Sequence, residues 1–179
     1  MQTLFEASHL SKASRPLAMI LLTLLLLFSG CFQETAQQQS PVKFSHVQAQ
    51  LKHQDEQFTT LLAISPSEQA QGLSGVASAD WPQNYSMLFV GEQITPRSFW
   101  MPDTYFDLDI FFLDGDLTVI YVAREMPHHP SHQEPPAIAR TPVIQAQHVL
   151  EIRSSDPLAK KINLGARLQW LGPGKLPGK

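Results

Sequence analysis

The chain has 179 residues, 13 Lys and Arg against 16 Asp and Glu, and a formal net charge of −3 with histidine neutral. That mild acidity lacks the basic surface that neutralises phosphates in a nucleic-acid binder. A single cysteine, Cys31, rules out an internal disulfide framework and a zinc site built from several thiolates.

In chain order, the first feature is Lys12 and Arg15 followed by Leu17 to Phe28, LAMILLTLLLLF, and then Ser29, Gly30 and Cys31. A positive n-region, an apolar core and small residues before a cut define a signal peptide over 1–30. The apolar run falls short of the roughly 20 residues a membrane-spanning helix needs. Phe28-Ser29-Gly30-Cys31 resembles the lipobox of bacterial lipoproteins, with Phe28 where Leu is usual. The resemblance implies cleavage before Cys31 and lipid on its sulfur and new amine, so the partner is a membrane. Phe32, rather than Asp, after the cysteine implies the outer membrane in a two-membrane host, with the domain facing the periplasm. Removing Lys12, Arg15 and Glu6 from the totals leaves a mature chain with formal charge −4.

Cys31 to Ser40 reads CFQETAQQQS, polar and without periodicity, which predicts a flexible tether over 31–40. One globular domain is expected over 41–171. Phe44, Val47 and Leu51, then Phe58, Leu61, Leu62 and Ile64, flank the polar knot at His53 to Glu56 and predict a hairpin. Ser65-Pro66-Ser67-Glu68 predicts a short helix with a capping box and proline in its first turn, ended by Gly72 and Gly75. Strands are predicted at Met87–Val90, Ser98–Met101, Leu108–Leu113, Leu117–Val122, Gln145–Arg153 and Arg167–Leu171, with a hairpin turn at Asp114-Gly115-Asp116. A Pro- and His-rich loop spans Pro127–Pro142, and Asp156-Pro157 starts a second short helix. Gly172–Lys179 is too rich in Gly and Pro for regular structure and is expected to be a disordered tail. About seven strands, two short helices and no βαβ alternation predict a mainly β (α+β) domain. Its architecture is expected to be a compact antiparallel sheet or a partly closed barrel.

Gly72-Leu73, Met87-Leu88-Phe89-Val90, Phe99-Trp100-Met101-Pro102-Asp103-Thr104 and Leu108-Asp109-Ile110-Phe111-Phe112-Leu113 occur in this order. Met126-Pro127, Val149-Leu150-Glu151-Ile152 and Gly165 follow. Together they resemble the bacterial and archaeal family called domain of unknown function 192, from about Leu61 to Leu171. The chain has Ser74-Gly75 where that family usually has Met and then Arg, and Thr141-Pro142 where a Tyr is common. The resemblance implies a small, mostly β, often exported domain and no known reaction.

Candidate recognition residues cluster around the Trp-Met block. Phe99, Trp100 and Met101 carry enough apolar surface to form core or the wall of a cleft. In an extended strand Asp107 and Asp109 share one face, about 6.6–6.8 Å apart along the backbone, with Phe111 and Leu113. Leu108, Ile110 and Phe112 take the other face. A strand apolar on both faces is central, so Asp109 is expected to be at least partly buried. It then needs backbone donors, or an ion pair with Arg97 or Arg124. Trp100, Asp103, Thr104, Asp107, Asp109 and Glu151 are the expected ligand contacts. His128, His129 and His132 have i, i+3 and i, i+4 spacings that can share a divalent metal on a helix, with Glu134 or His148 as the completing ligand, although Pro127 and Pro130 oppose a helix.

The motifs of several enzyme classes are missing: Gly72-Leu73-Ser74-Gly75-Val76 lacks the last glycine of a nucleophile elbow, and there is no P-loop, G-x-G-x-x-G or H-E-x-x-H. The expectation is a non-enzymatic binding or interaction module of the cell envelope, without a required cofactor, whose partner is a small ligand or an envelope protein. The alternative is a hydrolase acting on envelope glycans through Asp107 and Asp109. A metal-binding histidine loop is the third reading.

Overall fold

Residues 47–177 are described in the computed structural model of the chain. The signal-like segment, Cys31 and the tether lie outside the described residues, as do Phe44, Gly178 and Lys179.

Strand β1 (Val47–His53) buries alternate side chains, because one face meets core and the other water. It pairs antiparallel with β2 (Glu56–Ala63), the hairpin expected from the sequence. Helix α1 (Pro66–Gln71) follows. Its capping box is complete: Glu68 N–H donates to Ser65 Oγ at 3.2 Å, and Ser65 N–H donates to Glu68 Oε2 at 2.8 Å. The chain then runs through a 3₁₀ turn (Ser78–Asp80) into β3 (Tyr85–Phe89). β3 pairs parallel with β2, so one crossover carrying a helix exists where the sequence suggested none. The connection, residues 64–84, is long enough for the return that a parallel pair demands.

β4 (Thr95–Arg97) pairs with β7 (Ile144–Ala146) in a small second sheet. The strand expected at Ser98–Met101 is instead irregular chain, joined to the His-rich loop by one bridge between Trp100 and Arg140. β5 (Leu108–Leu113) is buried along its whole length, between β6 (Val119–Met126) and β8 (His148–Arg153). The single strand expected over 145–153 is broken at Gln147, whose N–H donates to Leu113 O at 3.0 Å. Helix α2 (Pro157–Lys161) is capped by Asp156 Oδ1, which accepts from Leu158 N–H at 2.9 Å. β9 (Gln169–Trp170) completes the elements.

The large sheet has seven strands in the order β6-β5-β8-β3-β2-β1-β9. It curls into a half-barrel, and the C-terminal segment that carries β9 bonds both the β6 end and β1. Val119 N–H donates to Ala166 O and Leu168 N–H to Leu117 O at the β6 edge, while Leu171 N–H donates to Gln50 O at the β1 edge. Beyond β9, residues 172–177 are irregular, as their Gly and Pro content predicts, yet Leu176 packs into the core at 5% exposure.

Each face of the sheet has its own core. Leu51, Phe58, Leu88, Phe111 and Leu150 point inward and are covered by Leu158, Ala159 and Ile162 around α2. Met87, Phe89, Ile110, Phe112 and Val149 face the other way. They are covered by Leu73, Trp81, Met101, Phe106 and Ile138 from the connections. This second layer carries the site.

Candidate functional site

β8 is an interior strand, and alternation sends Val149 and Glu151 to the face covered by connecting chain. Glu151 stands opposite Met87 of β3 on one side and Ile110 of β5 on the other. It therefore enters an apolar layer at 5% exposure. It borders a cavity of about 160 Å³. That is ample room for ordered water or a small polar group.

The walls come from three segments. The end of α1 and Gly72-Leu73-Ser74 form one, Phe89 and Leu108 of the sheet another, and Ser98 to Pro102 with Thr104 the third. Gly72 is required for the first. Its φ is +50°, and a β-carbon there would lie 3.1 Å from Phe89 Cζ. Trp100 also lines the cavity while remaining 45% exposed, which places it at the rim. The Arg140 guanidinium lies 4.5 Å from its ring centroid and the His132 ring 6.2 Å away.

Glu151 Oε2 is buried without a hydrogen-bond partner. Burial pushes its carboxyl up to about 8, so the group is mainly a neutral acid near pH 7. Hydroxyls around the cavity are bonded elsewhere. Thr104 Oγ1 donates to Met101 O at 2.9 Å and accepts from His129 N–H at 3.1 Å. Ser74 Oγ donates to Pro102 O at 2.8 Å, and Ser98 Oγ to Thr141 O at 3.0 Å. A neutral carboxyl is both a donor and an acceptor, so this one can receive either end of a polar group brought into the cavity.

The structure separates the expected ligand residues. Trp100, Thr104 and Glu151 share the cavity. Asp103, at φ +50°, turns away and accepts from Tyr105 Oη–H at 2.9 Å, which raises the tyrosine hydroxyl above its ordinary range. Asp107 is half exposed and accepts from His128 N–H at 2.9 Å and from its ring Nδ1–H at 2.6 Å. Those bonds hold its carboxyl below the usual carboxylate range. Asp109 lies on the opposite face with no exposed surface. It accepts from Arg124 Nη1–H at 2.7 Å, Glu125 N–H at 2.8 Å and Ser154 Oγ–H at 2.6 Å. Of the two arginines expected as its partner, Arg124 takes the place. Asp107 and Asp109 are thus not a pair of carboxylates facing a common cleft, which the hydrolase reading requires.

The three histidines diverge as well. His128 is held by Asp107, His129 is buried with its ring nitrogens on Ser131 O and Pro136 O, and His132 lies beside Trp100. Glu134 accepts from Ile138 N–H at 2.9 Å, and His148 Nδ1 accepts from Gly91 N–H at 3.2 Å. Among the described residues, no group of three or more His, Cys, Asp or Glu is placed to hold a metal ion.

A wider hollow of about 810 Å³ opens at the end of the half-barrel beside Leu117, Leu168, Trp170 and Leu176. Among the described residues, none of the buried, unpartnered side-chain atoms borders it. Size alone favours that hollow; polar chemistry favours the smaller cavity.

The fold and cavity define a mostly β half-barrel domain with a buried, unpartnered acid beside a small cavity of mixed polar and apolar lining. The family model of domain of unknown function 192 (DUF192, "Uncharacterized ACR") matches residues 47–170, and the chain belongs to that family. Comparison with curated proteins finds no match. Two solved structures are similar. One is a candidate transcription regulator from Sinorhizobium meliloti 1021, at 24% identity and TM-score 0.58, covering 70% of this chain and 95% of that one. The other is a protein of unknown function from Novosphingobium aromaticivorans DSM 12444, at 24% identity and TM-score 0.54, covering 73% and 90%. At this identity the likeness extends to the fold alone.

Proposed function

We propose that the protein is a non-enzymatic binding module of the cell envelope that takes a small hydrogen-bonding molecule, or the polar tip of a larger one, into the Glu151 cavity. The observation that carries this reading is the buried Glu151 Oε2, unpartnered beside a cavity. An unmet buried polar group costs about 1–3 kcal/mol. A ligand that supplies the missing bond recovers part of that cost. Trp100 at the rim offers a flat apolar surface beside the entrance, a common platform for polar ligands. The envelope location rests on the signal-like segment and Cys31, whose lipid would hold the domain near a membrane surface.

The test is a thermal-unfolding screen of the full chain in mild detergent against small alcohols, amides, carboxylic acids and envelope glycan fragments, with Glu151→Gln alongside. A ligand at 100 times its Kd adds about 2.7 kcal/mol, worth on the order of 10 °C in a domain of this size. The reading expects at least one compound to raise the wild-type midpoint and to lose most of that effect in a folded Glu151→Gln variant. Equal shifts in both proteins would remove Glu151 from the site, and a screen without any shift would overturn the reading.

A further inference from the structure

We propose that Arg97 forms an anion subsite next to the Glu151 cavity, so that the molecule bound there is a small carboxylate whose charged end meets Arg97. This deepens the binding reading above and rests on it.

Arg97 ends β4 and is half-buried. Its Nε is fully enclosed with no hydrogen-bond partner, and no carboxylate among the described residues pairs with it. A buried guanidinium is ordinarily matched by an acceptor, because removing its hydration otherwise costs free energy. The desolvation here lowers its pKa from the usual arginine value. The surrounding backbone leaves room for this cation. A β-carbon at Gly91 would stand 2.3 Å from Arg97 Nη2 and 2.0 Å from Gln147 O, so no larger residue fits at 91 without displacing the guanidinium or the backbone.

Arg97 borders a second hollow, of about 360 Å³. Gln69, Phe89, Ser98 and Phe99 line both this hollow and the Glu151 cavity. The two hollows, one bordered by Arg97 and the other by Glu151, thus adjoin along these four residues. A guanidinium fork matches the two oxygens of a carboxylate, which a lysine ammonium cannot do. Because burial holds Glu151 mainly neutral near pH 7, it does not repel an anion and can bond the ligand's hydroxyl or carbonyl.

The experiment uses the full chain in mild detergent at pH 7, with glycolate and its uncharged amide, glycolamide, as probes. The ¹⁵Nε–¹H resonance of Arg97 and the amides lining the Glu151 cavity are followed by NMR. Glycolate is expected to move the Arg97 resonance and to bind about tenfold more tightly than glycolamide, a preference that Arg97→Gln abolishes and Arg97→Lys partly keeps. Equal affinities, or shifted cavity amides with an unmoved Arg97 resonance, would overturn the anion subsite and leave the Glu151 reading standing. No response to either probe would also overturn the subsite, while the Glu151 reading is decided by its own unfolding screen. The Arg97 resonance reads the native protein directly, so a misfolded variant cannot mask the result.

Discussion

Asp109 and Glu151 sit one register step apart on neighbouring strands and face opposite sides of the same sheet. Asp109 lies opposite Ile152, and Glu151 opposite Ile110. Both carboxyl groups are buried, but their surroundings differ completely. Asp109 is bonded by Arg124, Glu125 and Ser154, whereas Glu151 Oε2 meets no donor or acceptor. The first arrangement builds the fold, and the second holds a polar group at the expense of stability.

Replacing Glu151 should therefore stabilise the protein. Because its folded pKa lies near 8 against 4.5 for an ordinary glutamate, the folded state binds the proton more tightly than the unfolded one. Its contribution is fully present below about pH 4.5 and is lost as pH rises through the interval to about 8. By linkage that loss is on the order of 3 kcal/mol between pH 4.5 and 7. Denaturant unfolding of Glu151→Met and wild type across this range should show the variant gaining on wild type as pH rises. A constant difference would contradict it.

Asp109→Asn should act in the opposite direction. Arg124 and two further donors would face a neutral amide, and the protein should lose about 2–3 kcal/mol. Chemical denaturation reads this directly. A loss below about 0.5 kcal/mol would mean that the three bonds contribute little to folding.

Gly72→Ala should lower stability by about 1–3 kcal/mol, because alanine is strained at φ +50° and its methyl would press on Phe89. Resonances of Phe89 and of the Glu151 cavity should shift with it. An unchanged midpoint would show that the turn relaxes freely.

Cys31→Ser should move the protein from the membrane fraction to the soluble or secreted fraction and abolish labelling with a radiolabelled fatty acid. Persistent labelling or unchanged membrane retention would overturn the lipid anchor.

The sequence pattern was most informative where physics is local. The Ser65–Glu68 capping box, the Asp156 cap and the two apolar faces of β5 follow from spacing of a few residues, and the structure contains all three. It was least informative where remote segments meet. Asp103, Asp107 and Asp109 are close in sequence, but a positive φ at Asp103, a histidine partner at Asp107 and the opposite sheet face at Asp109 send them apart. The unpartnered state of Glu151 depends on β3, β5 and the chain from Ser98 to Thr104 together, and no window of sequence contains them all. Arg97 was readable only as a possible partner for Asp109. The enclosing Gly91 and the hollow beside it arise from β4, Gln147, Phe89 of β3 and Gln69 of α1 coming together. The break at Gln147 was hidden because no Gly or Pro marks it: Gln145-Ala146-Gln147-His148 carries no turn signal.

The central claim is that Glu151 is a neutral, unsatisfied acid in a sheltered cavity. Its side-chain ¹³C carboxyl resonance, followed against pH in the ligand-free full chain and assigned with Glu151→Gln, tests this most directly. The account predicts a titration midpoint near 8. A midpoint in the ordinary glutamate range, about 4–5, would contradict it, because the carboxyl would then be charged and well solvated at neutral pH.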